Sequence, residues 1–167
     1  MPMRDKQIDA FIRRLQKAIP IDIVAIAKVL GLVVYESQDL PEGIAGKIFR
    51  DQKHGGQGGY SIVVRGADPF VRKRFTVAHE IAHYLLHRHL FSGGELVDDA
   101  LYRSQLSGML EAQANGLAAD LLMPWHLLAP LTGRPIKDLA KEFQVSEQAM
   151  KIRLDSRATV DAVRYSA

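Results

Sequence analysis

Apolar residues in the first thirty positions recur at the spacing of α-helices. From residue 5 to residue 19 they stand three or four positions apart with basic residues between them, which predicts an amphipathic surface helix. Pro20 ends this helix, because proline cannot continue the hydrogen-bond ladder. Residues 21–30 predict a second helix, and Gly31 fits the position where that helix ends.

The period of the apolar residues then shortens and predicts strands. Three runs rich in β-branched and aromatic residues follow one another, at 32–35, 46–50 and 60–65. The simplest arrangement is an antiparallel sheet, in which the glycine-rich stretch 51–59 is the turn between the last two strands. We therefore expect an α+β fold, a small antiparallel three-stranded sheet packed on a helical bundle. The edge of the third strand is a candidate for binding an extended peptide.

Two long helices are predicted in the middle of the chain. The first follows Asp68, an acidic N-cap with proline after it, and ends before a pair of glycines at 93–94. Most of its residues are apolar, so we expect it to be buried. The second runs over about residues 100–123, with Gly108 as a candidate interruption and a proline after its end.

The C-terminal segment 135–156 predicts two short helices joined by a turn, similar to a helix-turn-helix. Lys151, Arg153 and Arg157 are cations that could contact phosphates there. The alternative is that the helix pair completes the core, and for that reason we do not expect direct binding of nucleic acid. We expect residues 1–167 to form one domain.

Composition narrows the chemistry that the chain can perform. Its 167 residues are 47% hydrophobic and 25% charged, as in an ordinary globular protein, and the net charge of +3 does not argue for an acidic partner. We see no apolar run long enough for a bilayer and no signal peptide, so we expect a cytoplasmic protein without membrane contact. The absence of cysteine excludes disulfides and thiolate metal sites. A metal would need histidine and carboxylate ligands, which suit zinc best.

The most informative motif is His79-Glu80-x-x-His83, in the first of the two long helices. On a helix the two imidazoles lie one turn apart on one face, close enough to hold one zinc ion. The carboxylate of Glu80 would then be the general base that takes a proton from a zinc-activated water. The alternative is a helix whose histidines are only packed or solvated, but a buried helix carrying such groups without a partner would be unstable.

A catalytic zinc site needs three protein ligands and an open position. We assign Glu111, on the second long helix, as the third ligand; the rival carboxylates lie between the two helices, at Glu95, Asp98 and Asp99. Asn115, one turn beyond Glu111, could hydrogen-bond a ligating imidazole and fix its tautomer, or it could be an ordinary exposed polar residue.

Two further histidines follow the motif on the same helix. His87 shares a face with the motif histidines, but the three turns span about 12 Å, too far for one ion. We therefore expect His87 and His89 to support the site from outside or to lie on the surface.

The two motifs together resemble the ImmA/IrrE group of bacterial and phage metallopeptidases. The matching pieces are the stretch from Arg74 to His87 and the stretch Glu111-x-Gln113-Ala114-Asn115, which continues through Ala118 to Pro124. Leu117 and Arg65 depart from the family's usual Phe and Asn, and neither belongs to the predicted metal set.

The resemblance implies a zincin-like, gluzincin-type metalloprotease core with the metal between two central helices. Carried over by position, His79, His83 and Glu111 would be zinc ligands and Glu80 the general base. Relatives act on DNA-binding repressors or pair with helix-turn-helix antitoxins. The resemblance therefore implies a zinc-dependent endopeptidase in regulatory proteolysis or a toxin–antitoxin circuit, with a protein substrate that is a repressor or antitoxin.

Two other functions compete with this one. The chain could be a zinc-stabilised protein that sequesters a repressor without cutting it, or a DNA-binding regulator acting through residues 135–156. The group that stabilises the oxyanion of a peptidase is also open, with Tyr84, Tyr102 and His126 as candidates.

Overall fold

The structure is a computed structural model that describes residues 2–90 and 105–165. The chain begins with two helices, α1 (Pro2–Leu15) and α2 (Ile23–Val29). The Asp22 carboxylate caps α2 by accepting a hydrogen bond from the Ala25 amide at 2.9 Å. Gly31 follows the helix with φ of +78°, and a Cβ there would lie 2.5 Å from the amide nitrogen of Gly58. Only glycine fits this close approach, which joins α2 to the hairpin turn.

The sheet has three strands, β1 (Leu32–Ser37), β2 (Gly46–Arg50) and β3 (Tyr60–Arg65), in the order β1-β3-β2. The α+β class and the three-stranded sheet are confirmed. The prediction of a wholly antiparallel sheet is wrong, because β3 pairs antiparallel with β2 but parallel with β1.

The connection from β1 to β2 explains the mixed sheet. It carries the chain past the place of β3 to the far edge, and Arg65 at the end of β3 donates hydrogen bonds to the carbonyls of Pro41 and Ile44 in that connection. With a neighbour on each side, β3 has no free edge, so the prediction that its edge binds an extended peptide is also wrong.

Two long helices pack against each other and against the sheet. Helix α3 (Phe70–His87) is followed by a 3-10 turn (Arg88–Leu90), and α4 (Gln105–Leu122) runs without a break at Gly108. The N-cap of α3 is Pro69 rather than Asp68, whose carboxylate instead pairs with Arg72 at 3.4 Å. Small and branched residues form the buried contact between these helices and the sheet: Val77, Ala78, Ile81, Ala114, Ala118, Leu121 and Ile62.

Three helices complete the described chain: α5 (Trp125–Leu128), α6 (Ile136–Phe143) and α7 (Glu147–Tyr165), with a 3-10 turn (Ala129–Leu131) after α5. The predicted C-terminal helix pair is present, and its apolar side chains enter the common core. Within the described residues no helix is long and apolar enough to cross a membrane.

Candidate metal centre

Helices α3 and α4 bring together the three residues that the sequence assigns as metal ligands. His79 and His83 stand one turn apart on α3, and Glu111 faces them from α4. Each offers a ligand atom, and these atoms all lie within 4.8 Å of one another. His79 Nε2 is 3.2 Å from one Glu111 oxygen, and His83 Nε2 is 3.1 Å from the other.

The spacing of these atoms fits a tetrahedral metal site. Ligand atoms about 2.0–2.1 Å from a zinc ion are about 3.3 Å apart in a tetrahedron. The two Nε2 atoms are 2.9 Å apart, and both face the Glu111 carboxylate. Two nitrogens and a carboxylate are a donor set that suits zinc, and the chain has no cysteine to offer a thiolate. The residues present therefore fit a zinc ion.

Asn115 meets His79 on the side away from the cluster. Its Oδ1 lies 3.0 Å from His79 Nδ1. An amide oxygen only accepts, so this contact favours the tautomer with the proton on Nδ1, which leaves Nε2 to bind a metal. This is the contact that the sequence predicted for Asn115.

His83 is buried and has another histidine behind it. Burial, together with the neighbouring His79 and His87, lowers the pKa of His83 to about 3. A neutral imidazole is the form that binds a metal. His87 Nδ1 lies 3.0 Å from His83 Nδ1, which makes His87 a buried partner of the site rather than a surface residue.

Glu80 lies beside the three ligands and is almost completely buried. The pKa of Glu80 is raised to about 8. Burial is the largest cause, the Glu111 carboxylate acts in the same direction, and a hydrogen bond with the Ile48 backbone opposes both. Ile48 is in β2, so the edge strand of the sheet adjoins this carboxylate. A cation at the cluster would favour the charged form of Glu80.

The structure describes only two of the remaining candidates for a third ligand or an oxyanion-stabilising group, His126 and Tyr84. Glu95, Asp98, Asp99 and Tyr102 lie outside the described residues. His126 Nε2 is 2.9 Å from the Gln16 carbonyl oxygen, and the Tyr84 ring packs edge-on against Tyr60.

A cavity of about 570 Å³ adjoins the cluster. Its lining includes Phe75, one turn before His79 on α3, Asn115 and Ala119 on α4, and Ile152 on α7. Most of its lining is apolar, and the sequence alone gave no signal for it because it depends on how α7 packs.

The fold and the cluster define an α+β protein with a His-His-Glu site between two central helices. Comparison with known families agrees: residues 27–155 match the IrrE N-terminal-like domain of the peptidase M78 family, and the chain belongs to that family. The predicted resemblance is confirmed. The family is one of metallopeptidases, which implies a metal ion.

Two known proteins are similar to this chain. The radiation response metalloprotease IrrE of Deinococcus radiodurans is 33% identical over 110 residues, which are 61% of this chain and 33% of that protein. The match thus spans about a third of that relative's length. A solved structure, a Mycobacterium tuberculosis transcriptional regulator, aligns with a TM-score of 0.56 at 15% identity. The alignment covers 90% of this chain and 46% of the regulator, and it shows that the two folds are similar.

Proposed function

We propose that this protein is a zinc-dependent endopeptidase that cleaves a DNA-binding repressor or an antitoxin-type regulator in the cytoplasm. The observation that carries the proposal is the convergence of His79, His83 and Glu111 with a buried carboxylate, Glu80, beside them. Membership in a metallopeptidase family supports the same reaction class. The repressor or antitoxin substrate follows from the family resemblance of the sequence.

The proposed reaction is the hydrolysis of a peptide bond. Zinc, when bound by the three ligands, supplies a Lewis acid that makes water acidic enough to lose a proton near neutral pH. Glu80 takes that proton as the water oxygen bonds to the peptide carbonyl carbon. The same carboxyl then gives the proton to the departing amine nitrogen as the C–N bond breaks, so Glu80 ends in its starting state.

The surroundings of Glu80 suit this exchange. A general base works best when its pKa lies near the working pH, and burial opposes the ordinary acidity of this carboxyl. The adjacent cavity, with its apolar lining, would accept an apolar side chain of the substrate next to the bond that is cut.

Cleavage by the wild type and by Glu80→Gln tests the proposal. The purified zinc-loaded proteins are incubated with a bacterial protein extract that contains the candidate repressor and antitoxin substrates. New peptide N termini are then identified by mass spectrometry. We expect the wild type to generate N termini within a repressor or antitoxin and Glu80→Gln to generate none while retaining zinc. Equal patterns from the two proteins would reject catalysis and favour sequestration of the regulator without cleavage.

The DNA-binding alternative receives less support. Arg153 is buried, donates from Nε to the Met123 carbonyl at 3.0 Å and pairs with Asp120. The guanidinium groups of Arg153 and Arg157 both lie over the Trp125 ring, at 4.7 and 4.9 Å from its centroid. Two of the three cations considered for phosphate contacts therefore hold the C-terminal helix to the core.

A further inference from the structure

His87 is a buried imidazole that the proposed reaction does not use. It lies on α3 one turn beyond His83 and is 2% exposed. Its Nδ1 is 3.0 Å from His83 Nδ1, and its Nε2 is 3.0 Å from the side-chain oxygen of Gln113 on α4. A row of hydrogen-bonding groups thus runs from Gln113 through His87 to His83.

The acceptor at Gln113 favours one direction for the protons along this row. The amide oxygen of Gln113 only accepts, so the Nε2 of His87 carries a proton. A neutral His87 then has a bare Nδ1, which accepts the Nδ1 proton of His83. This direction leaves the Nε2 of His83, the atom 3.1 Å from Glu111, unprotonated for a metal. In the metal-free protein the Glu111 carboxylate, which also only accepts, favours the opposite tautomer, so the Gln113 acceptor acts against it.

We propose that Gln113 and His87 are positioning residues that hold His83 in the tautomer required of a zinc ligand. The inference rests on the proposed zinc site, because its effect is on the zinc affinity of that site. It makes α4 the source of an acceptor for each imidazole, with Asn115 acting on His79 directly and Gln113 acting on His83 through His87.

Substitutions at Gln113 separate this role from simple packing, because they change the hydrogen-bonding character at one place. Gln113→Glu keeps an acceptor, Gln113→Met removes it at similar size, and Gln113→Lys replaces it with a donor. A donor would leave the Nε2 of His87 bare and put the proton on its Nδ1, which reverses the tautomer of His83. If Gln113 only filled space, the effect of a substitution would not depend on whether the new side chain accepts a hydrogen bond, is apolar or donates one.

The first measurement is the zinc dissociation constant, obtained by competition with a chromophoric chelator at one fixed pH. We expect Gln113→Glu to bind within about threefold of the wild type, and Gln113→Met, Gln113→Lys and His87→Phe to bind about 10–100-fold more weakly. Ala112→Glu adds the same charge at an exposed neighbouring position without the acceptor, and His89→Gln alters an exposed histidine; both should bind as the wild type does. Thermal unfolding in chelator verifies that each variant folds.

The second measurement is the tautomer of His83, read from imidazole ¹H–¹⁵N correlation spectra of the zinc-free protein. The fraction of His83 with its proton on Nδ1 should be largest in the wild type and Gln113→Glu, smaller in Gln113→Met and smallest in Gln113→Lys. Unchanged tautomers in Gln113→Met and Gln113→Lys, with zinc affinity within twofold of the wild type, would overturn the proposal. If the wild type bound no zinc, the proposed function would fail, whereas the spectra would still decide whether Gln113 sets the tautomer.

Discussion

Glu80 is a buried carboxyl group whose ionisation is coupled to folding. The pKa of Glu80 is raised from 4.5 to about 8. Between these pH values the folded metal-free protein therefore holds a proton that the unfolded chain has lost. The unfolded state then binds fewer protons, so the stability of the metal-free protein falls as the pH rises through this window. Zinc would oppose this loss, because it favours the ionised carboxylate.

The prediction at this residue concerns Glu80→Gln in the metal-free protein. Between pH 6.5 and 8 the wild type should lose about 1–2 kcal/mol of unfolding free energy that the variant does not lose, because glutamine has no proton to release. Urea unfolding across this range measures the difference in slope. Above pH 6.5 the buried His83, with its pKa of about 3, stays neutral in the folded protein. Glu42→Gln, at an exposed loop carboxylate, is the control, and identical slopes in all three proteins would contradict the prediction.

The sequence was most informative about the site at the scale of single residues. Two imidazoles four positions apart on a helix must share a face, so the proximity of His79 and His83 could be predicted from spacing alone. The contact of Asn115 with His79 could be predicted because Asn115 stands one turn beyond Glu111. The contact of His87 with Gln113 could not be predicted, because it depends on how α4 lies against α3 and their sequence separation is 26 residues.

At the scale of elements, the strands were predicted but their pairing was not. The runs of β-branched residues located β1, β2 and β3, whereas the order β1-β3-β2 depends on the path of the connecting segment. The burial of β3 from Ser61 to Val64 is the pattern of a central strand covered on both faces and could have indicated its place. Helix ends also shifted, since Pro69 rather than Asp68 occupies the N-cap of α3.

Arg74 joins α3 to elements at both ends of the chain, and its removal gives a second prediction. Its buried guanidinium donates to the carbonyl oxygens of Ile21 at 2.8 Å and Gln144 at 3.1 Å. Arg74→Met should lower the unfolding free energy by about 2–4 kcal/mol, because these carbonyls lose their donors inside the core. Arg134→Met, which loses one exposed ion pair with Glu142, should cost less than about 1 kcal/mol. Urea unfolding of the two variants is the check, and equal losses would show that Arg74 does not join these elements.

Gly31 gives a matched pair of glycines for a third prediction. Gly31 and Gly43 have similar positive φ angles, 78° and 81°, but a Cβ on Gly31 would meet Gly58 whereas a Cβ on Gly43 would meet nothing within 4 Å. Gly43→Ala should cost about 1–2 kcal/mol for its backbone conformation alone. Gly31→Ala should cost clearly more in the same denaturation experiment, since it also separates α2 from the hairpin turn. Similar costs would mean that the turn moves away freely.

For the molecule as a whole, the site joins the two long helices that pack against each other and the sheet. A ligand that binds only the folded state raises its stability by mass action, by about 2.7 kcal/mol when the free ligand is at 100 times its dissociation constant. For a chain of this size that corresponds to a rise of roughly 5–10 °C in the melting temperature. Because His83 and Glu111 belong to different helices, the stabilisation requires α3 and α4 to be in place together.

The last prediction follows from this coupling. Adding zinc to the metal-free wild type should raise its melting temperature by about this amount, and chelator should reverse the change. Glu111→Gln and His83→Ala should lose most of the rise, whereas His54→Ala, which removes an exposed histidine in the hairpin turn, should keep it. Differential scanning calorimetry at matched zinc concentrations measures these melting temperatures. An equal rise in Glu111→Gln would mean that zinc stabilises the protein from another place, and the cluster between α3 and α4 would not be the metal site.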